Sequence, residues 1–158
     1  MTQGHHDLAP DAFLVCRSGA LLCALRLDHV AETMRPLPVE PVPAMPSFLL
    51  GVAIIRGAVV PVVSVARLLG APGESPVSRF VTVRLGARQV AFAVQSVLGV
   101  RSLNAESMAR IPLLLNEVDS ASVAAIGSLD AELLLVLQSA RIIDESLWQA
   151  IDAQAAPS

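Results

Sequence analysis

Short apolar runs separated by turn residues fill most of the chain, a spacing that predicts strands and few helices. Residues 13–16 and 21–25 flank Ser18-Gly19-Ala20. A two-residue turn with Gly19 at its first central position makes them a hairpin and sets Cys16 opposite Cys23. Residues 29–34 read as a strand or a short helical turn. Pro36, Pro38, Pro41, Pro43 and Pro46 follow, too dense for a helix or a central strand, and predict an extended loop of polyproline character. Residues 50–55 and 58–63, rich in Val and Ile, form the next strand pair around Arg56-Gly57, and 65–69 reads as a helical turn.

The segment 70–78, with Gly70, Pro72, Gly73, Ser75 and Pro76, is the best internal boundary. The pattern then restarts. Residues 79–85 and 90–94 flank Gly86-Ala87, and 97–103 makes a third strand. Asn104 caps a helical turn over 104–107, 111–122 is irregular, and 123–129 and 133–138 are strands around Asp130-Ala131-Glu132. From Ser139 the period changes: Ile142, Ile143, Leu147, Trp148 and Ile151 recur at helical spacing, which predicts a closing helix over 139–154 with one apolar stripe. Residues 1–12 and 155–158 are expected to be flexible tails. Pattern alone leaves two small barrels and a sandwich both open.

Composition narrows the function. In 158 residues, 54% are hydrophobic and 16% charged, which fits one well-filled domain. A net charge of -3, no Tyr and one Trp argue against a nucleic-acid surface. Mean hydropathy is +0.62, so residues 48–69 need weighing as a membrane span. Arg56 near their centre would cost about 2.5–3.5 kcal/mol there, and two buried strands joined at Arg56-Gly57 explain the same residues. The polar start, with His5 and His6, shows no signal peptide. The expectation is a cytoplasmic protein with no direct membrane insertion, in which Cys16 and Cys23 stay reduced as core thiols.

Catalytic chemistry is nearly absent. His29 stands beside Asp28, but neighbours in a strand point to opposite faces. Residues 70–75 lack the Gly-Lys-Ser/Thr ending of a phosphate loop, and the carboxylates are scattered. Two cysteines make no zinc site. No enzyme, metal or cofactor is expected. Arg56 is the one polar residue that looks placed: it either pairs with Glu32 or points to water from a turn before Gly57, and the sequence leaves both open.

Residues 43–63, which carry Pro46, Gly51-Val52, Ile54, Arg56-Gly57 and Pro61, resemble the signature of the CheW-like family: a Pro, an apolar run, Gly-Val, Arg-Gly, then a Pro-flanked strand. Phe13-Leu14-Val15 is similar to that family's opening strand, Val30-Ala31-Glu32 to its Val-x-Glu stretch, and Ile126-Gly127 to its closing hairpin. The resemblance covers about residues 13–144. It implies an all-β fold of two intertwined five-stranded SH3-like barrels with a short C-terminal helix, the first barrel about 13–70 and the second about 78–138.

It also implies a non-enzymatic, cofactor-free adaptor, monomeric alone, between the helical cytoplasmic tip of a chemoreceptor and the regulatory domain of a CheA-type histidine kinase, recruited to membrane-associated receptor arrays. Val30, Glu32, Arg56 and Gly57 match the receptor groove, with Glu32 and Arg56 as its buried acid and arginine. Gly51, Val52, Ile54 and Pro61 match the signature strands. The kinase is expected at exposed apolar strands of the first half. Ile54, Ser64 and Gln95 stand where the family usually has polar Asn, Asp and Asp, which is expected to alter partner fit and to suit a non-flagellar pathway such as one for pili, biofilm or development. A tandem-barrel sensor of a small ligand is the alternative.

Overall fold

A computed structural model describes residues 11–71, 76–103, 108–109, 123–129 and 132–155. The turn expected at 104–107, the irregular stretch 111–122, His5, His6 and residues 156–158 lie outside these.

The chain is mostly β. Eleven strands are described: β1 (Asp11–Ser18), β2 (Leu21–Arg26), β3 (Val30–Met34), β4 (Leu49–Ile55), β5 (Ala58–Ser64), β6 (Arg79–Leu85), β7 (Arg88–Val94), β8 (Ser96–Leu103), β9 (Met108–Ala109), β10 (Val123–Leu129) and β11 (Glu132–Leu137). A short helix α1 (Val65–Leu68) follows β5, and α2 (Glu145–Ala155) is the last element described. The helix expected from Ser139 begins only at Glu145. Residues Ser139–Arg141 form a single 3-10 turn, and Asp144 Oδ1 accepts from the Leu147 N–H at 2.8 Å, so the N-cap fixes the start.

The strands make two sheets, in the orders β8-β1-β2-β11-β10-β9 and β3-β6-β7-β5-β4. Apart from the two-residue β9 the orders are the same when each half of the chain is counted from its own first strand: third, first, second, fifth, fourth. The first hairpin of each half sits in the sheet formed by the other half's third, fourth and fifth strands. Gly19 has φ 61 and holds the β1–β2 register with Cys16 opposite Cys23; both are buried free thiols.

Apolar side chains fall into three clusters. Phe13, Val15, Leu22 and Leu134 fill one face of the six-stranded sheet. Ala53, Val60, Phe80 and Ala91 fill one face of the five-stranded sheet. Leu25, Val63, Phe92, Leu135, Trp148 and Ile151 belong to a larger cluster drawn from both sheets and α2. With both faces of the central strands covered, β2, β7 and β11 read as near-continuous apolar runs.

The Pro-rich loop lies along the outer edge of β4. Glu40 and Val52 exchange backbone hydrogen bonds at 2.8 and 2.9 Å, capping an edge that would otherwise stay open to pairing. Gly51 allows it: its φ is 145, and a Cβ there would sit 2.0 Å from the Glu40 carbonyl oxygen.

Candidate functional site

Arg56 and Gly57 are the two central residues of the β4–β5 turn, with φ values of 50 and 80. Two successive positive values are the mark of the tight turn whose twist matches its strands. For Gly57 the conformation is the whole reason, since nothing lies within 4 Å of a Cβ built there. From this turn Arg56 Nε donates to Glu32 Oε2 at 2.8 Å. Glu32 is held on β3, where the register slips by one residue after Val30 and Thr82 Oγ1 donates to the Glu32 carbonyl at 3.3 Å.

The buried acid–arginine pair implied by the family resemblance needs correction. The Arg56 side chain is 78% exposed and that of Glu32 29%, because a residue at the tip of a two-residue turn projects from the sheet. Arg56 is both paired and wet.

The pair stands on the rim of an open cleft of about 600 Å³. Ala58 and Val59 of β5, Arg84 of β6, Arg88 of β7 and Trp148 and Asp152 of α2 share its lining. Arg88 fastens the helix wall. Its guanidinium donates to both carboxylate oxygens of Glu145 at 3.0 and 3.1 Å and lies 4.7 Å from the Trp148 ring centroid, a cation–π arrangement. A second hollow of about 700 Å³ meets the first along Arg84, Gly86, Arg88 and Trp148, and takes in His29 and Arg141.

Of the residues singled out by sequence, Glu32 and Arg56 line the cleft. Val30 is half-buried against the central core and Gly57 shapes the turn. Gly51 and Pro61 are buried and Val52 half-buried, all structural. Ile54 is different: it is 62% exposed and sits opposite Val59, 41% exposed, on the β4–β5 ribbon. Two of the three departures from the family pattern are hydrogen-bonded within the chain. Ser64 is buried and its Oγ accepts from the Arg67 N–H at 3.2 Å, capping α1. Gln95 Oε1 accepts from the Gly19 N–H at 3.0 Å, tying the β7–β8 connection to the first hairpin.

Sequence reading missed Arg84, Arg88, Ala58 and the α2 wall. One signal was available: Arg17-Ser18-Gly19-Ala20 and Arg84-Leu85-Gly86-Ala87 share an Arg-x-Gly-Ala frame. Among the described residues no group of three or more His, Cys, Asp or Glu could hold a metal, and no helix is long and apolar enough to cross a membrane.

A family model described as CheW-like domain matches residues 12–147. A probable chemotaxis protein CheW of Rhizobium etli is 23% identical over 152 residues, covering 95% of both chains. The chemotaxis protein CheW of Thermotoga maritima is 32% identical over 78 residues, 49% of this chain and 52% of that one. The crystal structure of the scaffolding protein TtCheW from Thermoanaerobacter tengcongensis superposes with a TM-score of 0.74 at 21% identity, over 87% of this chain and 95% of that chain, a match of fold.

Proposed function

The chain belongs to the CheW-like domain family, a family of non-enzymatic scaffold and coupling proteins of chemotaxis, and on that premise we propose that it couples a chemoreceptor's helical cytoplasmic tip to the regulatory domain of a CheA-type histidine kinase. The observation that carries this reading is the cleft beside the Arg56–Glu32 pair. It is open, it mixes charge with the exposed Val59, and its walls come from all five strands of the five-stranded sheet and α2. A helix laid into such a groove buries one apolar stripe while its polar flanks meet the rim. Val30, Glu32, Arg56 and Gly57 form the receptor side of the proposal, Glu32 and Arg56 by contact, Val30 and Gly57 by holding β3 and the turn.

The kinase is assigned to the exposed apolar surface at Ile54, which lies outside the cleft lining, while Val59 across the ribbon faces the receptor, so that one hairpin serves both partners. The protein works as a monomer between them, held at receptor arrays by those contacts. Ile54 favours a circuit other than the flagellar one: a large exposed aliphatic side chain replaces the family's usual Asn, and a partner surface matched to Asn would leave a polar group unpaired against it.

Co-sedimentation tests the coupling directly. The full chain, at tens of micromolar, is mixed with a receptor signalling fragment and the kinase of the same organism. Enrichment of all three in the pellet is expected, and absence of this chain from it would remove the reading.

A further inference from the structure

Apart from β9, the two sheets share a strand order and also a register, so residues of one sheet have counterparts in the other. In the six-stranded sheet Arg17 of β1 lies opposite Leu22 of β2, and Leu22 lies level with Leu134 of β11, two residues past Glu132. In the five-stranded sheet Arg84 of β6 lies opposite Gln89 of β7. Ala91 of β7 is level with Val62 of β5, so Gln89 is level with Val60, two residues past Ala58. Arg84 is therefore the counterpart of Arg17, and Ala58 that of Glu132. Both members of the second pair are the first residue after the turn of their hairpin.

The first pair shows what this arrangement is built to do. Arg17 Nη2 donates to both carboxylate oxygens of Glu132 at 3.0 Å. In the second sheet the arginine is kept and the carboxylate is gone. Ala58 is exposed, Arg84 is exposed with no ion pair among the described residues, and both line the cleft. The carboxylates around Arg84 are committed elsewhere: Glu32 to Arg56, Glu145 to Arg88, and Asp144 to the start of α2. Asp152 stands 4.0 Å from Arg88.

We propose that Arg84 is the anchor of the partner cleft, and that the receptor helix supplies there the carboxylate which Ala58 lacks. This deepens the coupling reading and rests on it. A guanidinium takes a carboxylate through two parallel N–H donors, so the occupant is a helix with an acidic residue facing Arg84. An aliphatic neighbour one turn away on that helix would meet Val59. A small free anion would use the charge and leave Val59 and the length of the groove unused.

The experiment measures affinity of the full-length protein for a soluble receptor hairpin fragment and, separately, for the kinase regulatory domain. Arg84→Ala removes the anchor. Ala58→Glu restores the internal pair seen between Arg17 and Glu132 and so occupies Arg84 from within. Each is expected to weaken receptor-fragment binding by roughly tenfold. Both positions are exposed, and Trp148 fluorescence verifies that the cleft wall is intact. Ala58→Gln matches the added bulk without the charge and should cost clearly less than Ala58→Glu; equal losses would make bulk the cause and overturn the proposal. Receptor binding by Arg84→Ala as tight as wild type would overturn it while leaving the coupling reading intact. Wild-type protein that binds neither fragment would end both. Competition of the receptor fragment by millimolar sodium glutamate or phosphate alone would assign Arg84 to a free anion and overturn the helix assignment.

Discussion

Arg56 reaches from the tip of the β4–β5 turn to Glu32 on β3, joining the two outermost strands of the five-stranded sheet through one 2.8 Å hydrogen bond. Strands at opposite ends of the sheet order meet only if the sheet curls, so this contact records the curvature on which the cleft depends.

Because Arg56 is 78% exposed, solvent screens the pair and little of fold stability rests on it. Arg56→Ala and Glu32→Ala should each leave the melting temperature within about 3 °C of wild type. Receptor-fragment binding should fall in both, and a double-mutant cycle on that affinity should show coupling. A collapse of stability in either single variant would place the pair in the core.

Gly51 and Gly57 both have positive φ, for different reasons, and alanine separates them. Gly51→Ala meets the Glu40 carbonyl as well as an unfavourable backbone conformation and should cost about 2–4 kcal/mol in urea unfolding. Gly57→Ala faces open space and should cost only the left-handed conformation, about 1–2 kcal/mol.

The chain has one Trp and no Tyr, so intrinsic fluorescence reports α2 docking alone. Asp144 is held below the ordinary carboxylate range first by the Leu147 N–H and then by the Ser146 hydroxyl. A depressed folded-state pKa adds stability that is complete above the ordinary value and disappears as pH falls through the folded one. Acidification below about pH 4 should therefore loosen α2 and red-shift Trp148. Asp144→Asn keeps an accepting oxygen with no proton to gain and should flatten that response. A shift of equal size in Asp144→Asn would assign the effect to another carboxylate.

The Ser18 hydroxyl oxygen is buried without a hydrogen-bond partner among the described residues. Ser18→Ala removes an uncompensated polar atom and should be neutral or stabilising by up to about 1 kcal/mol. A loss above that in chemical denaturation would mean the hydroxyl has a partner in solution.

Hydrogen bonding with Cys16, followed by burial, pushes the Cys23 thiol well above its ordinary range, and thiolate is the reactive form. Ellman's reagent should label neither cysteine in the native protein and both after unfolding, at the rate of unfolding. Fast labelling under native conditions would show the β1–β2 hairpin opening locally.

What the sequence revealed was local. A two-residue turn fixes its own register, so Gly19-Ala20 was enough to set Cys16 against Cys23, and Arg56-Gly57 to join β4 and β5. The crossing of hairpins between sheets was implied only by the family resemblance, with its intertwined barrels; periodicity along the chain carries no sign of it. Segment 70–78 looks like a border by composition, yet the strands before and after it, β5 and β6, share one sheet. The Arg56 alternatives could not be separated because exposure at a turn depends on what packs around it. Arg84 carries no mark of its own within residues 79–85 beyond the Arg-x-Gly-Ala frame it shares with Arg17. It becomes conspicuous only beside Arg17, once the register shows that Glu132 has a counterpart in Ala58.

The exchanged hairpins carry a consequence for how such a chain could arise. Neither half can complete a sheet by itself, so a half-length ancestor would have needed a twin, each lending two strands to the other. Fusing the twins end to end makes that loan permanent. It also releases the two copies from sameness, so that matched positions such as Glu132 and Ala58 are free to differ.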